Sequence, residues 1–140
     1  RATLGDRLAR VRSHAAAARP DEPPVSELLD VDREYREKAA RGELRTIAPR
    51  RMNPEGRAWL PILHATRGSR HYTALYSNTP RAHQLERTHD WVVLYLDGDR
   101  AEHQWTAITA ERGALKGRRI VRGREAECAE YYRTRRAVAS

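Results

Sequence analysis

Apolar residues recur at helical spacing near both ends of the chain and at strand spacing between them. Leu4, Leu8, Val11 and Ala15, with Arg7, Arg10 and Arg12 opposite, predict a helix over 2–19. RPDEPP at 19–24 ends any helix, because proline lacks an amide donor and restricts the residue before it. Ser26 can cap a second helix that Gly42 would stop near Arg41. Leu28, Val31, Tyr35 and Ala39 are its apolar stripe, leaving Asp30, Asp32, Arg33, Glu34, Arg36 and Glu37 for water. Glu34 and Lys38 are spaced for an ion pair along it.

From Leu44 the period shortens to that of strands, predicted at 44–48, 58–66, 70–77, 91–97, 102–110 and 118–121. RGSR at 67–70 is a tight connection and DGDR at 97–100 a hairpin signal. Pro61 argues for an edge position of its strand. WVVLYL at 91–96 is apolar on both alternating sets, which predicts a central strand covered on both faces. Thr79 followed by Pro80 opens a short helix, and a last helix runs over about 124–135. The expected fold is α+β: a mostly antiparallel sheet of about five strands with helices packed on it, preceded by a separate N-terminal helix. The domain plan follows: 1–19 as the tail of a preceding domain, 20–25 as linker, 26–135 as the folded domain, and 136–140 as a disordered tail.

Length leaves room for one core, and charge then narrows the partners. Lys plus Arg number 27 against 19 acids, a formal net charge of +8 with a sequence pI near 10.3. Such a surface raises the local concentration of polyanions, so nucleic acid becomes the leading partner. Only Lys38 and Lys116 are lysine, and the planar arginine fork suits phosphate and guanine. No apolar run is long enough for a membrane helix, so no membrane partner is expected. The single cysteine, Cys128, excludes an internal disulfide and fits a cytoplasmic setting; it is read as a small buried hydrophobe.

Three segments carry candidate chemistry. A turn at Asn53–Gly56 would display Arg50 and Arg51, either as a phosphate-facing loop or as an ordinary polar connection. RHYTALYSNTPRAH brings His71, Arg81 and His83 near a helix start whose free amides suit an anion. LKGRRIVRGREAEC holds Lys116, Arg118, Arg119, Arg122 and Arg124, either a solvated face or a strip along a phosphate backbone. On a strand, Arg118, Ile120 and Arg122 share one face, and Arg119 and Val121 the other. Trp59, Trp91 and Trp105 are strand residues expected in the core, one of them open to stacking on bases. Spacing assigns no metal ligands: the histidines form no HxxxH pair and Cys128 has no CxxC partner. No cofactor is expected. His64, His71 and His83 are the suspects if the chain cleaves nucleic acid.

The pieces NPEG, WLPILH, SNTPRAH, DWVVLY and VRGREAEC resemble the C-terminal domain of bacterial helix-hairpin-helix proteins, over about residues 26–130. The resemblance implies a DNA-associated role through tandem hairpins N-terminal to this domain. It brings no catalytic assignment, and hairpin glycines of the GxG type are absent here. A DNA-binding or docking module is therefore expected ahead of a nuclease or end-processing enzyme and of a protein-interaction domain.

Overall fold

The computed structural model describes residues 22–97 and 103–139. The helix expected over 2–19 and most of the DGDR turn lie outside the described residues. The elements run α1 (Val25–Ala40), β1 (Thr46–Ile47), β2 (Leu60–Arg67), β3 (Arg70–Tyr76), α2 (Pro80–Gln84), β4 (Val92–Leu96), β5 (Gln104–Thr109), β6 (Arg119–Val121) and α3 (Glu125–Ala139). The six strands form one antiparallel meander in the order β1-β2-β3-β4-β5-β6, so the class is α+β. Helix α3 continues past 135, where the pattern places its end.

Helix α1 lies across β2–β6 and buries Leu28, Leu29, Val31 and Tyr35 against the sheet. Against that stripe stand Leu63, Tyr72, Ala74, Val92, Leu94, Ala107 and Val121. Glu43 N–H donates to Lys38 O and Gly42 N–H to Ala39 O, a Schellman closure that needs the left-handed φ of 71° at Gly42. Ser26 is not the cap. The helix opens one residue earlier at Val25, behind Pro24 in an extended conformation, because Pro23 and Val25 are buried and draw the chain onto the domain. The C-terminal half of the 19–24 segment thus packs with the fold.

Three further expectations change. Asp32, assigned to water, is fully buried, because its position falls on the apolar stripe between Leu28 and Tyr35 and two arginines meet it there. β2 is second in the order and not an edge. Pro61 is tolerated opposite Thr46 because the neighbouring bond runs from Ile62 N–H to Arg45 O, at 3.0 Å. β4 is central, and among the described residues helices cover one of its faces: Val92 and Leu94 are fully buried under α1, whereas Tyr95, on the other face, is 38% exposed.

The β2–β3 hairpin is tied to α1 by charge. Arg67 pairs with Asp30 and Glu34 at 2.8 and 2.7 Å, and Arg70 reaches Glu27 at 3.1 Å. The Tyr72 hydroxyl also donates to Glu27. The Glu34 carboxyl sits below its ordinary range, held there by Lys38 and then Arg67. Asp30 sits below its own because of Arg33 and Arg67. Carboxyls lowered in the folded state stabilise fully above their unfolded values, 4.5 and 3.8, and lose that contribution as pH falls through the lowered folded values. The melting midpoint should therefore hold from about pH 7 to pH 5 and drop below about pH 4. Arg67→Met should shrink the drop; circular dichroism showing equal acid loss in both proteins would refute this origin.

Candidate nucleic-acid interface

Strand alternation sends one set of side chains under α1 and the other onto a face that, among the described residues, neither α1 nor α3 crosses. Paired positions share a face, so the register maps the open side. His64, Thr73, Tyr95 and Gln104 make one row across β2–β5, and Ile62, Leu75, Val93 and Thr106 the next. Arg122 follows β6 beside Thr106, to whose carbonyl its N–H donates at 2.9 Å. Trp91, which precedes β4, continues the outward set of Val93 and Tyr95.

The Arg122 guanidinium lies over the Trp91 ring, 4.6 Å from its centroid. Trp91 is buried and lines two shallow hollows of about 420 and 460 Å³. Arg81, Trp91 and Arg122 line both. Tyr95, Gln104 and Thr79 are also in the first, and Leu85, Ile120, Glu111 and Glu125 in the second. Arg81 comes from α2, whose start is fixed by Thr79: its hydroxyl accepts from Ala82 N–H at 3.1 Å, with Pro80 at the first turn. At five residues, that helix contributes position more than dipole.

Arg81 and Arg122 are exposed and form no ion pair among the described residues. The other arginines of the basic run are placed differently. Arg119 shares the inner face with Val121 and joins Asp32 at 2.8 Å, Asp90 at 3.2 Å, Thr109 Oγ1 at 3.0 Å and Ala107 O at 3.2 Å. Arg124 is 8% exposed and grips Glu127 at 2.6 Å. Burial opposes the Arg124 charge, and the Glu127 carboxylate more than offsets this, so its pKa rises. Arg118 lies over the Tyr132 ring at 4.8 Å, and Lys116 is exposed in the β5–β6 loop. The strip read as continuous is thus split: Arg119 and Arg124 hold carboxylates inside the fold, and Arg122 alone of the three reaches the open face.

Arg50 and Arg51 are exposed beside a turn that Asn53 organises, its Nδ2 donating to Pro49 O and Arg57 O at 2.9 Å each. Asn78 Nδ2 donates to Arg51 O at 2.8 Å and ties this loop to the start of α2. The register sets the suspect histidines His64 and His71 diagonally on adjacent strands of one face, whereas His83 sits on α2. His64 bonds Thr73 and His71 bonds Thr66, each at 3.2 Å, on the open face. His83 bonds Asn78 at 2.6 Å and faces the Trp59 ring, and no hydrogen bond joins any of the three to another among the described residues. Also among these residues, no group of three His, Cys, Asp or Glu side chains could hold a metal, and no helix is long and apolar enough to cross a membrane. Cys128 is buried; its Sγ accepts from Val121 N–H at 3.3 Å, and burial pushes the thiol pKa up, away from nucleophilic use.

Tyr95 is the residue the sequence reading missed. A signal exists: its cross-strand partners Thr73 and Gln104 are polar, whereas those of Leu94 are Ala74 and Trp105. Another hollow lies between α1 and α3; its Arg33, Arg36 and Arg119 are held by Asp30, Glu37 and Asp32, and its Arg135 lies over the Tyr131 ring at 5.1 Å. No protein-family model matches the chain, and neither a curated protein nor a solved structure matches it.

Proposed function

We propose that this domain is a nucleic-acid-binding module, for DNA ahead of RNA, and that the open sheet face around Arg81, Trp91 and Arg122 is its contact surface. The observation that carries this reading is the pairing pattern of the arginines. Arg67, Arg70, Arg119 and Arg124 are matched to carboxylates, whereas among the described residues Arg81 and Arg122, like Arg50, Arg51 and Arg118, have no ion-pair partner, and these two line the same hollows as Trp91. In a chain of net charge +8, that is where phosphates gain most. Arg50, Arg51, Lys116 and Arg118 would add to the field from the loops. The helix-hairpin-helix unit that the sequence resemblance implies would engage the same DNA, with this domain as its accessory contact in the cytoplasm.

Arg81→Gln combined with Arg122→Gln should weaken binding alike across sequences, because phosphate contacts carry no base information. It should flatten the salt dependence by about one unit of log K per log salt for each phosphate no longer neutralised. Arg122→Lys, which keeps the charge, should recover most of the slope. Fluorescence anisotropy over a salt series measures both, and unchanged affinity and slope in the double variant would sink the proposal.

A further inference from the structure

Resting on that reading, we infer that the open face takes the unpaired bases of a single strand rather than duplex, with Tyr95 as the exposed stacking platform. Width keeps this face out of a duplex major groove. Neighbouring strands stand about 4.8 Å apart, so a six-stranded sheet spans roughly 24 Å, about twice the 12 Å of the major groove. A helix or a two-stranded ribbon enters that groove but this face does not, so a duplex would meet it mainly through backbone phosphates, whereas a single strand presents its bases as well.

The chemistry of the face matches a splayed base. Tyr95 is 38% exposed, among the few large hydrophobic side chains left open in the described fold. It sits in register between Thr73 and Gln104, and the exposed Gln104 amide beside a ring suits a base edge beside a base plane. Val93 and Leu75 in the next row extend the apolar floor. Beyond them stands the Trp91–Arg122 stack, with Arg81 across the same hollow. The face therefore runs from an aromatic floor to unmatched guanidinium groups, the arrangement that binds bases by stacking and the backbone by charge. On the opposite flank, the Thr73 hydroxyl donates to Asp97 at 2.8 Å, placing a carboxylate that directs phosphates toward the Arg81 and Arg122 side.

The test compares labelled 12-nucleotide single strands of DNA and of RNA with the DNA duplex of the same sequence, at low salt. A single strand should bind at least tenfold more tightly than duplex. Tyr95→Ala should weaken single-strand binding about 5- to 150-fold, the range for removing one base stack, and Tyr95→Phe should keep it. Duplex bound as tightly as single strand, or Tyr95→Ala without effect, would overturn the inference. The flattened salt slope in the Arg81 and Arg122 variants would then still stand for the binding function. Absence of binding to every probe would fell both.

Discussion

Replacing Asp32 by alanine is expected to destabilise the fold by about 3–5 kcal/mol, the range for removing one partner of a buried ion pair. The Asp32 side chain is wholly buried in α1, and both of its oxygens are used. Oδ1 accepts from Arg119 Nη2 at 2.8 Å, and Oδ2 accepts from Arg36 Nε at 3.0 Å and Arg119 Nε at 3.2 Å. Arg119, whose side chain is 13% exposed, would keep only Asp90, Thr109 and Ala107. Its charge would remain inside without its main counterion, and desolvation would fall on a folded state that cannot release it. The charge and not the side-chain volume is the cause, so Asp32→Leu combined with Arg119→Met should recover much of the loss. Urea unfolding measures both variants; a double variant no more stable than Asp32→Ala would refute the electrostatic origin.

Tyr35→Phe should cost about 2–4 kcal/mol, although it deletes a single oxygen. The Tyr35 hydroxyl donates to Pro61 O at 2.7 Å and accepts from Tyr76 N–H at 2.9 Å. It thus stands between β2 and β3 where their last ladder bond would be, just beyond the Ile62–Leu75 pair. Burial pushes its pKa up, which keeps it a neutral donor. Phenylalanine retains the ring and its edge contact with Tyr76, centroids 4.9 Å apart, so no large cavity opens. It strands one carbonyl and one amide, each costing about 1–3 kcal/mol when buried unpaired. The melting midpoint should fall by roughly 10 °C, and Tyr76 N–H should lose exchange protection ahead of the rest of β3. A loss below about 1 kcal/mol would mean that the strands close without the hydroxyl.

The order and type of the elements were legible because they are local. Alternation marked five of the six strands and a continuous apolar run marked β4, Gly42 marked the end of α1, and Thr79-Pro80 marked the start of α2. Alternation also put Arg119 with Val121 and Arg122 with Ile120 on opposite faces. What it could not say is which face α1 covers, since that depends on a helix about eighty residues earlier in the chain reaching β6. Only the tertiary structure decided that Arg119 and Arg124 turn to carboxylates while Arg122 lies over Trp91 in hollows that Arg81 also lines. The same holds for Asp32: its place on the stripe was written in the sequence, but its ion pairs were not. WVVLYL shows the limit most plainly. Both of its alternating sets are apolar, so pattern alone predicted two covers, and with α1 and α3 both committed to one side the fold leaves Tyr95 facing outward. A sequence fixes which residues share a face through backbone period, whereas which face meets water is settled by how many layers the folded chain supplies.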